Sequence, residues 1–287
     1  MTTKEKLTNL FRQFQVDGLV GITTQAFQQE LMHHLSNHAY PQYTDPTKQR
    51  DQAIRFQWGH NHDFGLFQLN GAMGLRHIDL IAHFVDVYGL PLNFKNQNVL
   101  DIGCWTGGTS LMLAAMGAKV LAIEEVEKYV AAARFLAESF GVTDRLEFRQ
   151  ASICDPDLAD RYSGNFQYVI YAGVLYHVTD PVLSLRVAYS CLAENRSCYL
   201  ETAGLEDRGC ILRYEGPSRF VDSRDRGIYR RGWNWFIPSI GTIERMALDV
   251  GFTGHNLRFG GGRVVGTLNK SVYTDMMRAG LSRGEVL

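Results

Sequence analysis

Apolar positions along this chain follow two periods, and the change from one to the other falls near residue 97. Before it, Leu7, Leu10, Phe11 and Phe14 recur at helical spacing, and Phe27, Leu31 and Met32 do so again. Tyr40-Pro41-Gln42-Tyr43-Thr44-Asp45-Pro46 breaks that pattern as a loop does. An aromatic and histidine-rich stretch follows, Phe56-Gln57-Trp58-Gly59-His60-Asn61-His62-Asp63-Phe64-Gly65. A helix is then predicted over residues 74–88, stopping before Gly89-Leu90-Pro91. Beyond residue 97 short apolar runs alternate with helical patterns. Strands are predicted at 99–102, 119–124, 146–150, 167–171 and 198–201, and helices at 109–115, 126–140, 181–192 and 243–250. Residues 256–259 and 264–268, on either side of Gly260-Gly261-Gly262, read as a terminal hairpin. Such alternation predicts an α/β fold, a doubly wound and mostly parallel sheet with an antiparallel edge. Residues 1–95 are expected to form an N-terminal helical cap and lid, and 96–287 the sheet domain, with an insertion at 204–236.

Composition narrows the setting. The longest apolar runs, 111–115 and 168–176, are far shorter than the roughly 20 residues of a membrane span. The start, Met1-Thr2-Thr3-Lys4-Glu5-Lys6, lacks the apolar core of a secretion signal, so a cytoplasmic location is expected. Five cysteines (Cys104, Cys154, Cys191, Cys198 and Cys210) are odd in number and show no CxxC spacing, which argues against a disulfide framework and against structural zinc. A formal net charge of −1 provides no global basic field for nucleic acid. Arg224, Arg226, Arg230 and Arg231 form either a local basic patch or a solvated arginine-rich loop.

The chemistry concentrates at Asn98-Val99-Leu100-Asp101-Ile102-Gly103-Cys104-Trp105-Thr106-Gly107-Gly108-Thr109-Ser110. A strand runs into a glycine-dense turn that opens a helix, which lets a ligand approach main-chain N–H groups. Glu124, about 20 positions on, stands where a carboxylate accepts the hydroxyls of an adenosine ribose. Asp101 precedes the first glycine. An anion there would repel a pyrophosphate, whereas it suits a cofactor carrying an ammonium and a sulfonium. S-adenosylmethionine (SAM) explains it better than a dinucleotide does.

With those residues in place, the span from about 97 to 202 resembles a class I SAM-dependent methyltransferase. The matching segments are Asp101-Ile102-Gly103-Cys104-Trp105-Thr106-Gly107, Ala122-Ile123-Glu124 and Gly173-Val174-Leu175-Tyr176-His177. The resemblance implies a Rossmann-like, seven-stranded sheet. It also implies that Gly103 and Gly107 line the methionine part, Glu124 holds the ribose, and Ala151-Ser152-Ile153 flank the adenine. The family often carries an acid at the position of Ala151 or Ser152, so adenine recognition here falls to backbone groups. The expected cofactor set is Asp101, Gly103, Cys104, Gly107, Glu124, Ser152, Ile153 and Tyr171, with S-adenosylhomocysteine (SAH) as product and no metal.

A narrower resemblance rests on Gly173-Val174-Leu175-Tyr176-His177-x-x-Asp180-Pro181-x-x-x-Leu185, Leu200-Glu201-Thr202 and Trp235-Phe236-Ile237-Pro238-Ser239. From about residue 97 to 253 the chain is similar to the branch containing tRNA wobble-uridine carboxymethyltransferases. Those enzymes use carboxy-SAM, held partly by a lysine in an upstream Arg-Lys-Gly-Pro segment. This chain has Trp58-Gly59-His60-Asn61-His62 in that region instead, so plain SAM is the expected donor.

Methyl transfer from a sulfonium is an in-line displacement in which positioning supplies much of the acceleration. A base is needed only if the acceptor must lose a proton. Tyr171, Tyr176 and His177 follow the fourth predicted strand and should face the mouth of the sheet. His177 is a candidate base or a residue that orders its turn. His60, His62 and Asp63 are candidates for a lid facing the acceptor, for metal ligands, or for loop packing. His33, His34 and His38 read as a solvated helical face. Glu201 is a pocket-facing carboxylate or a solvated strand end. Arg213, Tyr214, Arg230, Trp233 and Trp235, in the insertion, contact an acidic or aromatic acceptor or pack as a flap. The catalytic candidates are His177, Tyr176, His60, His62 and Glu201. The expected function is methyl transfer to a small-molecule acceptor. The alternatives are a tRNA wobble-uridine (carboxy)methyltransferase and a catalytically silent SAM-binding subunit, and a homo-oligomer is compatible with each.

Overall fold

The computed structural model describes residues 1–35, 56–215 and 234–271. The predicted loop at 40–46, His38, the arginines at 224, 226, 230 and 231, and Trp233 lie outside the described residues, as does most of the insertion. In chain order the elements begin with α1 (Thr3–Phe11), α2 (Thr24–Leu35), β1 (His62–Asp63), β2 (Gln68–Leu69) and α3 (Arg76–Tyr88). They continue with β3 (Asn98–Ile102), α4 (Gly108–Ala115), β4 (Lys119–Glu124), α5 (Glu127–Ser139), β5 (Leu146–Gln150), α6 (Pro156–Tyr162) and β6 (Phe166–Ala172). The last are α7 (Pro181–Cys191), β7 (Leu192–Ala203), β8 (Leu212–Tyr214), β9 (Phe236–Pro238), α8 (Ile240–Val250), β10 (Gly254–Gly260) and β11 (Arg263–Lys270).

Seven strands form the central sheet in the order β10-β11-β7-β6-β3-β4-β5. The pairs β3–β6, β4–β5 and β6–β7 are parallel, while β11 runs antiparallel to both β7 and β10. This is the doubly wound Rossmann-like sheet with an antiparallel edge that the alternation predicts. Val99, Leu100 and Ile102 of β3 are all buried, as a parallel strand covered on both faces requires. Chain order reverses beside β3, and such switch points are where open α/β sheets take their ligands.

The described residues fall into two compact units. One comprises Met1–Gln97 with Gly103–Ala151, the other Asn98–Ile102 with residues 152–215 and 234–271. In the first, Thr2 and Glu5 close a capping box on α1. Leu7, Phe11, Phe14, Phe27 and Leu31 are buried, whereas Leu10 and Met32 are exposed, so the two helices use only part of their predicted apolar stripes. Phe27 stacks on Phe135 of α5 at 5.4 Å, and Phe14 and Phe27 both meet Phe140. This aromatic core fastens the N-terminal helices to α5.

In the second unit, β7 is longer than the predicted 198–201 because its first half is polar. Glu194, Asn195 and Arg196 are exposed, so no apolar period marks them. The ladder to β11, running from Arg196↔Lys270 to Ala203↔Arg263, sustains much of the extra length. Helix α6 is likewise invisible to periodicity. It is one short segment whose cap is Asp155, accepting from the Asp157 N–H, with Pro156 at the first position.

Candidate functional site

In the first unit the chain leaves β3 through a loop that adopts left-handed backbone at Gly103 (φ +70°), Trp105 (φ +51°) and Gly107 (φ +82°). The Gly103 and Cys104 N–H groups donate to the Ile123 carbonyl at 2.8 and 3.1 Å, and the Gly107 N–H to the Cys104 carbonyl at 2.8 Å. A Cβ on Gly107 would lie 2.8 Å from the Phe148 ring, so both conformation and space demand glycine there. Trp105 has no such freedom, and a bulky residue with positive φ carries strain of about 1–3 kcal/mol. Its N–H donates to Glu124 Oε2 at 3.2 Å, while Glu124 Oε1 accepts from the Val126 N–H at 3.0 Å. Glu124 thus straps the strained loop to the end of β4. Helix α4 opens directly behind, with no side chain capping its first turn.

Residues 58–60 lie along this loop. The Gly59 N–H donates to Thr106 Oγ1 at 3.0 Å. His60 Nδ1 is 2.9 Å from where a Cβ on Gly108 would sit, and a Cβ on Gly71 would meet His60 backbone atoms at 2.4 Å. The segment is braced from behind: the Ala72 and Met73 N–H groups donate to the Trp58 and Gly59 carbonyls, and the Asn61 N–H to the Gly74 carbonyl. Trp58 is buried, yet among the described residues its Nε1 has no hydrogen-bond partner, nor has His60 Nδ1, nor either ring nitrogen of His77. His77 packs between Phe11 and His60, with ring centroids 5.0 and 4.7 Å away.

Burial lowers the pKa of His60 to about 4, helped by the Arg76 charge. Burial also takes His77 to about 2, with His60 and His62 adding to the effect. His62 falls to about 4 through burial, against its hydrogen bond to the Phe14 carbonyl and the Asp63 charge. All three imidazoles are therefore neutral near pH 7. His62 stacks flat on Phe64 at 3.8 Å, and its Nε2 lies 2.8 Å from the Phe14 carbonyl. Asp63 Oδ1 accepts the Gly65 N–H. Among the described residues no three His, Cys, Asp or Glu side chains are arranged to hold a metal. The His60–His62–Asp63 run thus separates: His60 meets the glycine loop, and His62 enters the aromatic core.

In the second unit Asp101, near the end of β3, is buried. Ser152 Oγ accepts the Cys154 N–H at 3.1 Å, and Ile153 beside it is buried. Tyr171 is fully buried; its hydroxyl donates to Ser184 Oγ at 2.7 Å, and Ser184 in turn donates to the Pro181 carbonyl. After β6 the chain turns at Gly173, whose N–H donates to the Glu201 carbonyl, into a single helical turn over Leu175–His177. The Tyr176 and His177 rings lie 3.8 Å apart, and the Trp235 N–H donates to the Tyr176 carbonyl. Glu201 is 1% exposed. The Arg263 guanidinium grips both its oxygens, Nε on Oε1 and Nη2 on Oε2 at 2.8 Å, and covers the Tyr176 ring at 4.9 Å. Burial works against the Arg263 charge, but hydrogen bonds to Glu201 and Tyr176 and their charges hold its pKa above the ordinary value. Arg213 pairs with Glu215, and Tyr214 is exposed. Sequence reasoning missed Arg263. Its only linear signal is an arginine opening the strand after Gly260-Gly261-Gly262, and it meets Glu201 through the β7–β11 ladder alone.

Residues 93–214 match the sequence profile of a family described as "Methyltransferase domain". The chain is 27% identical over 162 residues to a protein of Psychrobacter arcticus named "Ubiquinone biosynthesis O-methyltransferase", a match covering 56% of this chain and 61% of that one. It is 33% identical over 111 residues to a protein of the same name from Xanthomonas euvesicatoria, covering 39% and 45%. The chain thus spans about three fifths or less of the length of these curated relatives. Among solved structures, the N-terminal domain of EvdMO1, crystallised in the presence of SAH and D-fucose, superposes with a TM-score of 0.60 at 17% identity, covering 89% of this chain and 99% of that one. Residues 93–214 thus carry a match to a methyltransferase-domain profile, and the fold of the chain is that of the EvdMO1 N-terminal domain.

Proposed function

We propose that this chain transfers a methyl group from SAM to a hydroxyl of a small-molecule acceptor by in-line displacement, leaving SAH. The observation that carries the reading is the strap between Glu124 and the left-handed loop at Trp105. It sets an acid at the end of β4 against a glycine-rich turn whose conformation is already fixed, as recognition of a ribose and its neighbouring groups requires. When bound, SAM supplies an electrophilic methyl on a sulfonium.

The residues suit that group. Asp101 and Glu124 offer carboxylates to an ammonium and to ribose hydroxyls, and Glu124 already holds the loop through the Trp105 and Val126 N–H groups. Trp58 Nε1 and His60 Nδ1 are buried polar atoms with no partner among the described residues. Gly103, Cys104 and Gly107 present backbone to the donor, Ser152 and Ile153 flank the adenine, and Tyr171 braces β6 against α7 through Ser184.

On the acceptor side, Tyr176, His177 and Glu201 are assigned to orient the nucleophile, with Arg263 keeping Glu201 in place. His60, neutral near pH 7, accepts a proton only from a hydroxyl already losing it to the new bond. His62 serves the lid by stacking. Residues 1–95 act as cap and lid, and 96–287 as the catalytic domain. The hydroxyl acceptor is favoured by relatives named O-methyltransferases. A small acceptor is favoured over tRNA by the net charge of −1. No described helix is long and apolar enough to cross a membrane, and a cytoplasmic site of action follows from the reading rather than from the fold.

Calorimetric titration with SAH tests the donor assignment, and the expected result is one site per chain. No heat with either SAM or SAH would sink it. Incubation with isotopically labelled SAM and simple phenols or sugars then separates O-methylation from a silent binding role. Salt-sensitive binding of tRNA would move the acceptor to nucleic acid.

A further inference from the structure

Trp105 stands in left-handed backbone, at φ +51°, a conformation that glycine adopts freely and a bulky side chain resists. Such strain persists only where the surroundings over-determine it, and here both ends of the residue are held. Its N–H donates to Glu124 Oε2 at 3.2 Å. Its ring meets Tyr129 of α5 and His60 edge to face, each at 6.1 Å. A Cβ on Gly59 would lie 2.9 Å from Trp105 Cδ2 and 2.8 Å from Thr106 Oγ1, so the indole rests against bare backbone at Gly59. The Gly59 N–H closes the contact by donating to Thr106 Oγ1. Residues 58–60 are therefore gripped by two consecutive loop residues, Trp105 through its ring and Thr106 through its hydroxyl. Phe56, just ahead of them, meets Tyr129 at 5.2 Å. The grip and the strain are linked. The torsion φ relates a residue's N–H to its Cβ, so a Trp105 relaxed to negative φ cannot keep both Glu124 on its N–H and Gly59 under its ring.

We propose that Trp105 is a positioning residue that couples donor binding at Glu124 to closure of residues 56–61 on the glycine loop. The inference rests on the SAM reading above. A ligand whose hydroxyls fix the Glu124 carboxylate also fixes the Trp105 N–H, and through φ the ring that clasps Gly59. The segment closes when the donor is in place, and the ring must let go before SAH leaves. A strained tryptophan thus carries the state of one carboxylate to a stretch of chain more than 40 positions upstream.

Hydrogen exchange of the full chain, followed by mass spectrometry with and without saturating SAH, tests the coupling in the wild type, Trp105→Gly and Trp105→Phe. Glycine takes the left-handed φ without strain, so the loop keeps its path and loses only the ring. Phenylalanine keeps a ring in place. In the wild type, SAH is expected to slow exchange at residues 58–61 about tenfold, as a shift in a local opening equilibrium does. In Trp105→Gly that slowing should vanish while peptides carrying Glu124 stay protected by SAH, and ligand-free exchange at 58–61 should rise about tenfold. Trp105→Phe should restore most of both effects. Gly59→Ala opens the same contact from the other side, because its Cβ falls against the ring. It should match Trp105→Gly, and it decides the matter if that variant does not fold. SAH that still slows residues 58–61 in folded Trp105→Gly overturns the inference and leaves the SAM reading intact. So does a wild-type chain that binds SAH without slowing at 58–61, or ligand-free exchange that Trp105→Gly leaves unchanged. No effect of SAH anywhere in the wild-type chain overturns the SAM reading and the coupling together.

Discussion

Two polar clusters in this molecule solve the problem of burial in opposite ways. Around Tyr176, every strong group is spoken for: Glu201 and Arg263 form a two-pronged ion pair, and the guanidinium covers the Tyr176 ring. Around His60, Trp58 Nε1 and three imidazole nitrogens are buried with no partner among the described residues, and the rings stay neutral. The first cluster is complete as folded, because a buried charge left alone would cost too much. The second tolerates its gaps because neutral groups cost less, and a ligand can repay them on binding. The first cluster is thus architecture by itself, and on the SAM reading proposed above the second is where a ligand completes the hydrogen bonding.

The contrast is broken most violently by Arg263→Met, which strands Glu201 in a buried site. The expected loss is about 3–5 kcal/mol of unfolding free energy, read by denaturant titration. Adding Glu201→Gln should recover most of it, and a single substitution that costs less than about 1 kcal/mol would show the pair to be solvated. Next comes Glu124→Ala. Two hydroxyl hydrogen bonds to a charged acceptor are worth about 3 kcal/mol or more together, so on the proposed reading SAH affinity should fall roughly 100-fold, with a smaller fall in stability from the released loop at Trp105.

The neutral histidines predict the pH response. Their folded pKa values lie below the ordinary 6.5, at about 4 for His60 and His62 and about 2 for His77. The unfolded chain binds more protons than the native one below pH 6.5, so stability is full above that pH and drains away on acidification toward 4. Each fully buried imidazole contributes up to about 1.4 kcal/mol per pH unit. His77→Leu should therefore flatten the slope of melting temperature against pH between 6.5 and 4.5 by about one histidine's share. An unchanged slope would mean that His77 takes up protons while folded. Smallest is Tyr171→Phe. Losing the hydroxyl bond to Ser184 should cost about 1 kcal/mol and leave SAH affinity alone.

Much of the fold was legible because parallel strands are continuous apolar runs. β4 and β5 fall at the predicted residues, 119–124 and 146–150, and the loop with Glu124 is a local pattern. β7 was seen only where Cys198–Glu201 is apolar enough to register, since its first half owes its form to β11. The two clusters needed distance. Glu201 and Arg263 are 62 positions apart, and His60 meets Gly108 across β1, β2, α3, β3 and the loop. Neither meeting leaves a local period. In the histidine run, His62 and Asp63 point opposite ways in a two-residue strand, one buried and one exposed, while His60 lies outside that strand against the glycine loop.

Residue 60 sits between two backbones that lack side chains, Gly71 behind it and Gly108 in front. Its side chain can change, but neither wall can thicken. A library that randomises position 60 while holding both glycines would keep the seat and vary only what it presents. That makes position 60 a side chain that can be exchanged without rebuilding the loop it faces.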